Sequence, residues 1–259
     1  MLMARGGQLA FGFRTWGGAR KGAGRPPKRN VAGVSHLRRP ALSRLHPTHV
    51  TLRIVAGLPS LRRWRLFTEV SRALARGQDR FGFRLVHFSV QSNHLHLIAE
   101  AADRRSLSRG LQGLSVRVAR AVNRHLERTG RLFADRYHAR ALKTPRSVYF
   151  ALRYVLLNAR KHLRGGIHPS SPLARSRAGT AEPSASVPPG FVDTRSSAPW
   201  FDGFGRPNEL AFGAVQARAK WRSTSGLEAP VVSAQTWLLR QGNRHYGAFD
   251  VDDAPSAAR

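Results

Sequence analysis

Apolar and polar residues change their period several times along the chain, and each change marks an element. His49-Val50-Thr51-Leu52-Arg53-Ile54-Val55 alternates and is rich in β-branched residues, the pattern of a half-buried strand. From Pro59 and Ser60 to about Gly77, Leu61, Trp64, Phe67, Val70 and Leu74 recur every three or four positions, which predicts a helix with one apolar face. Phe83 to Val90 and His94 to Glu100 are strand-like runs separated by Gln91-Ser92-Asn93 and read as a hairpin. Ser106 to about Arg128 sets Leu107, Leu111, Leu114, Val118, Ala121, Val122 and Leu126 on one helical face, and Gly130 follows as a stop signal. Arg136 to Lys143 reads as a fourth strand, after which Thr144-Pro145 supplies an N-cap and a first-turn proline for a helix to about His162. The order β-α-β-β-α-β with one helix appended predicts an α/β (α+β) ferredoxin-like domain, an antiparallel sheet with helices on one face.

Outside this core the periodicity disappears. Residues 1–45 are rich in Gly, Arg and Pro, contain no acid, and read as a mobile basic arm. Residues 165–199 have a Ser/Pro/Ala/Gly linker composition, and 200–259 form a small tail in which Ala211 to Trp221 and Ser233 to Leu239 suit short helices. The domain itself is bounded at 46–164.

Charge changes this picture from a fold to a class of partner. The 44 Lys and Arg against 14 Asp and Glu give a formal net charge of +30, far beyond what solubility requires, so a polyanion is the expected partner. Nucleic acid is favoured over a membrane surface because the charge is spread through every segment rather than concentrated on one amphipathic helix. An arginine-heavy composition bias accounts for part of the excess but not for the scarcity of acids. The absence of cysteine excludes thiolate nucleophiles, zinc ribbons and disulfide frameworks, leaving His, carboxylate and amide groups to hold any metal. With no apolar signal region after Met1–Phe13 and no membrane-length apolar stretch, the reading is a cytoplasmic protein. In the arm, Arg20-Lys21-Gly22-Ala23-Gly24-Arg25-Pro26-Pro27-Lys28-Arg29 resembles an AT-hook, with Arg25 and Lys28 as minor-groove candidates; the same composition also suits a solvated linker.

The candidate chemistry lies in two short runs. In Asn93-His94-Leu95-His96-Leu97 the strand period of two puts His94 and His96 on one face and Leu95 and Leu97 on the other. Two imidazoles with an amide or carboxylate oxygen leave positions for water and a phosphate oxygen, which suits Mg²⁺ or Mn²⁺; a pair of ordinary strand histidines is the alternative. In Arg153-Tyr154-Val155-Leu156-Leu157-Asn158, Tyr154 and Asn158 lie one turn apart on one side of the last helix, apart from the stripe of Val148, Leu152, Val155, Leu156 and Ala159 expected to bury on the sheet. A tyrosine anchoring the helix edge is the alternative there.

Taken in order, Asn93-His94-Leu95-His96-Leu97, then Gly130-Arg131-Leu132-Phe133 with Arg136-Tyr137-His138-Ala139, then Tyr149 and Arg153 through Asn158 resemble the single-tyrosine HUH transposases, nearest to the REP-associated tyrosine transposases, over about His46 to Leu163. The resemblance implies His94 and His96 as metal ligands, Asn158 as the third ligand and Tyr154 as nucleophile. It implies cutting and rejoining of single-stranded or hairpin DNA through a 5′-phosphotyrosine, by a monomer or homodimer. Two positions depart from the family pattern: Gln91-Ser92 replaces Met-Pro before the Asn-His, and Ala159 replaces the proline after the helix Asn. Tyr149 and Tyr137 are rival nucleophiles, His87 and His138 secondary site candidates. Arg104, Arg105, Arg109, Arg117, Arg120, Arg124, Arg136, Arg140 and Lys143 are the expected phosphate contacts. The competing readings are a non-catalytic nucleic-acid-binding protein on the same fold and a replication initiator or relaxase with the same chemistry.

Overall fold

The computed structural model describes residues 41–164, 190–205, 207–227 and 229–253, with the backbone alone for 160–164 and 207–213. Arg25, Lys28 and the Gly-Arg-Pro run lie outside the described residues. The first strand, β1, spans Thr48–Arg53, and the helix α1 spans Trp64–Ala75. A two-residue β2 at Asp79–Arg80 precedes the hairpin of β3, Phe83–Val90, and β4, His94–Ala101. The long α2 runs over Arg104–His125, β5 over His138–Ala141 and α3 over Pro145–Arg164. Beyond it come α4 at Pro207–Ser225 and α5 at Trp237–Arg240.

The sheet order is β2-β3-β4-β1-β5 and every pairing is antiparallel. Inserting β4 between β1 and β3 makes the split β-α-β of the ferredoxin-like fold, as the element order predicts. Two helix boundaries moved, each for a local reason. The α2 helix begins at Arg104 rather than Ser106 because the Asp103 carboxylate caps it, accepting the Ser106 backbone N–H at 2.7 Å. The α1 helix begins only at Trp64, since Leu61 donates its N–H to the Ser92 carbonyl and Arg62 is tied to Asp193 and the Val90 carbonyl. The fourth strand is shorter than Arg136–Lys143, keeping only the residues that pair with β1.

Register decides what each face carries. Val50 and Leu52 of β1 sit opposite Leu97 and Leu95 of β4, and these join Phe83, Leu85, Leu111, Leu114 and Val118 in a core beneath α1 and α2. Gly110 lets α2 lie close on β3, because a Cβ there would sit 2.2 Å from the Phe83 ring. The other face is covered by α3, whose Val148, Leu152, Val155 and Leu156 pack on Val86 and Ile98. The sheet is thus sandwiched: α1 and α2 take one side and α3 the other.

The C-terminal segment completes the second side. Residues 190–199, assigned to a linker by composition, hold the outer edge of β3: Val90 N–H donates to the Arg195 carbonyl and Ser197 N–H to the Phe88 carbonyl, both at 2.9 Å. Further on, Val232 N–H donates to the Leu85 carbonyl. An edge strand left bare would template pairing with another chain, so this cover answers a real liability. Phe201, Phe204, Phe249 and Val251 then pack with α3, Arg153 pairs with Asp253 at 3.2 Å, and the buried Glu100 carboxylate accepts the N–H groups of Gln235 and Thr236. Among the described residues, no helix is long and apolar enough to cross a membrane.

Candidate active site

The even-numbered side chains of β4 turn away from the α1/α2 core and toward α3. Thr51 of β1 pairs with His96, Arg53 with His94 and, on the far side of β1, Thr51 with His138 and His49 with Arg140. Paired residues in an antiparallel ladder share a face. One sheet face therefore gathers His49, Thr51, His94, His96, His138 and Arg140. The Nε2 atoms of His94 and His96 are 2.9 Å apart. His94 Nδ1 lies 2.8 Å from Asn93 Oδ1, and His96 Nδ1 lies 3.3 Å from both Thr51 Oγ1 and His49 Nε2. His96 is buried, while His94 at the strand's start is half-exposed.

Packing of α3 brings the tyrosine to this group within a single chain. The Tyr154 ring stands edge-on to His96 with centroids 5.0 Å apart, and edge-on to His49 at 5.9 Å. Burial raises the phenol above its usual pKa, so the site holds Tyr154 protonated unless a cation is close. One turn on, Asn158 is 1% exposed and neither its Oδ1 nor its Nδ2 has a hydrogen-bond partner. The expectation that Asn158 lies apart from the buried stripe is corrected here: with sheet on one side and the C-terminal segment on the other, α3 buries Ala151, Leu157 and Asn158 as well. A buried amide without partners costs about 1–3 kcal/mol, so its retention asks for a ligand.

Rival residues are placed elsewhere. Tyr149 packs against Tyr246 and Phe249, with ring centroids 5.7 Å away in each case, and Tyr137 packs on the α1/α2 core. His87 is buried under the C-terminal segment, its Nδ1 3.3 Å from Ser197 Oγ and its ring edge-on to Phe201; burial lowers its pKa to about 4, against a smaller opposing pull from Asp202. His138 is exposed but shares the site's face. His49 and Thr51 went unrecognised in the sequence; their only signal was alternation on β1. Burial first, then the charges of His138 and Arg140, lower the His49 pKa to about 4, leaving it a neutral partner for His96 at neutral pH.

The expected phosphate contacts divide between faces. Arg140 shares the face of the histidines, and Arg136 and Lys143 flank its strand, exposed. Arg117, Arg120 and Arg124 instead line a cavity of about 450 Å³ with Arg72 and Arg76, between α1, α2 and the end of α4. Arg105 is exposed and Arg104 half-buried at the start of α2, and Arg109 lies over the Phe81 ring at 5.0 Å.

The site thus sets two histidines of one strand beneath a helix-borne tyrosine on a ferredoxin-like sheet. Residues 52–156 match the family described as "Transposase IS200 like". A solved structure described as a REP-associated tyrosine transposase bound to a REP hairpin is similar over 49% of this chain and 74% of that chain, at 15% identity and a TM-score of 0.42. No curated protein matches the chain in sequence.

The residues present fit a divalent ion. Two nitrogens each about 2.1 Å from one ion and at right angles to each other lie about 3 Å apart, close to the spacing of the facing His nitrogens. Among the described residues no three His, Asp or Glu side chains form a ready-made metal cluster. Asn158, whose buried amide has no hydrogen-bond partner, is the candidate for a third protein donor.

Proposed function

We propose that this chain is a DNA-cutting and strand-transferring enzyme in which Tyr154 is the nucleophile and His94, His96 and Asn158 hold Mg²⁺ or Mn²⁺. The observation that carries the reading is the Tyr154 ring 5.0 Å from His96, within one chain, above a pair of facing imidazole nitrogens. A bound cation would select the tautomers in which His94 donates Nδ1–H to Asn93 Oδ1 and His96 donates Nδ1–H to Thr51 Oγ1 or His49 Nε2. Both Nε2 lone pairs then point at the same place, an arrangement that repels unless a cation lies there.

When bound, the ion would neutralise a non-bridging phosphate oxygen and draw down the Tyr154 pKa that burial has raised. The phenol oxygen bonds to phosphorus as its proton passes to water, and the strand's 3′-oxygen leaves and takes up a proton as a 3′-hydroxyl. The 5′-phosphotyrosine keeps the energy of the broken bond, so a 3′-hydroxyl can later attack it and release Tyr154 without ATP. Arg140, Arg136 and Lys143 position the backbone of single-stranded or hairpin DNA on this face. Since tyrosine and histidines meet in one chain, a monomer suffices.

The test is a covalent protein–DNA adduct formed on single-stranded hairpin DNA. Wild type is expected to form it with Mg²⁺ or Mn²⁺ and not with chelator, and Tyr154→Phe is expected to bind the same DNA without forming it. An adduct on Tyr154→Phe would overturn the assignment; binding with no adduct under any metal would leave a nucleic-acid-binding protein.

A further inference from the structure

We propose that a cavity of about 440 Å³ between α1 and the C-terminal segment is a pocket for an unpaired nucleobase of single-stranded DNA. It lies at the β3 edge on the α1 side, away from the sheet face that carries His94 and His96. Trp64 and Phe67 of α1 form one wall, and Trp200 and Trp221 form another, set edge-on with centroids 6.1 Å apart. The Trp residues at 200 and 221 lie beyond the family match, which ends at residue 156, so this half of the pocket belongs to this chain's own extension.

Three properties point to a base. The walls are aromatic and the volume falls within the roughly 300–1,000 Å³ of pockets that hold small planar ligands. Cations sit on those walls: the Lys220 ammonium is 4.2 Å over the Trp64 ring, and the Arg195 guanidinium lies 5.6 Å from Trp64 and 5.4 Å from Phe67. Among the described residues, no Asp or Glu lines the cavity. Aromatic faces interleaved with cations are how proteins hold stacked bases and the phosphates that flank them. Finally, Trp221 is 7% exposed, so its ring is a fixed wall of the cavity. Trp64, at the first position of α1, remains 42% exposed despite its size, as a stacking platform must.

This proposal borrows only the DNA ligand from the function proposed above, and its test uses binding rather than cleavage. Three of the five tryptophans, Trp64, Trp200 and Trp221, line the pocket, so a stacked base quenches intrinsic fluorescence. The full chain is titrated with a short oligodeoxythymidine and with an abasic deoxyribose-phosphate oligomer of equal length. Quenching is expected with the first and not the second. Trp64→Ala is expected to weaken oligodeoxythymidine binding about tenfold while leaving abasic binding unchanged. Lys220→Gln, which keeps every aromatic wall, is expected to weaken both oligomers a few-fold, more at low salt. Equal quenching by both oligomers, or wild-type affinity in Trp64→Ala, overturns the pocket. If such a chain still forms the Tyr154 adduct, only the pocket is lost; if wild type binds neither oligomer, the DNA-cutting reading falls with it.

Discussion

The two faces of β4 show how one strand serves two purposes. Leu95, Leu97 and Ala99 point into the α1/α2 core and are fully buried, with apolar neighbours around them. His94, His96, Ile98 and Glu100 point the other way, where His96, Glu100 and Asn158 are nearly as buried yet polar. Burial alone therefore does not separate core from site. Side-chain chemistry does: Leu95, Leu97 and Ala99 carry no polar atom, Glu100 is satisfied by the C-terminal segment, and the Asn158 amide of α3 is left without a partner. A polar group kept unsatisfied in the interior costs stability, and enzymes retain such groups where a ligand completes them.

The comparison can be broken most severely at Tyr154. Replacing it with Phe keeps the ring on His96 and is expected to lower adduct formation at least about a thousandfold, with thermal stability nearly unchanged. Mixing Tyr154→Phe with His96→Ala chains is expected to restore no adduct, because each site is built within one chain; recovery would show subunit exchange of α3. Adjacent residues of β4 should fail differently. Leu97→Ala is expected to lose about 2–5 kcal/mol of stability in denaturant unfolding, whereas His96→Ala should retain most of its stability and lose the metal-dependent adduct.

Acid should attack the second face before the first. The His87 pKa is about 4 when folded, held down by burial, against 6.5 ordinarily. Between those values the unfolded chain binds more protons, so stability present above pH 6.5 declines as pH falls toward 4, by up to about 3 kcal/mol. His87→Phe, which cannot ionise, is expected to flatten the dependence of the unfolding midpoint over that window. The smallest effect belongs to Thr51→Val, which removes one acceptor from His96 Nδ1 and should weaken metal affinity about tenfold by calorimetry.

How much of this was legible depends on the range of the interactions. His94 with His96 and Tyr154 with Asn158 follow from local periods, two along a strand and about four along a helix, so both pairs could be named without coordinates. His49 and Thr51 could not, because only the β1–β4 register sets them against His96 across 45 or more residues of chain. Charge along the sequence does not separate the arginines of α2 from those of β5, whereas the fold sets Arg117 and Arg120 with α1 on the far side of the sheet from Arg140. Residues 190–199 read as linker because hydrogen bonding to a strand edge leaves no trace in composition.

The sequence alone thus determined the order of elements, the faces on which each short motif presents its side chains, and a charge that calls for a polyanion. These are properties of neighbouring residues or of sums over the chain. Only the tertiary structure decided that α3 crosses to the face opposite α1 and α2, that its tyrosine meets its own histidines, and that the C-terminal segment seals β3 and walls a second cavity. Such choices rest on contacts between residues far apart in the chain, whose free energy depends on what is buried together and not on the period of either partner.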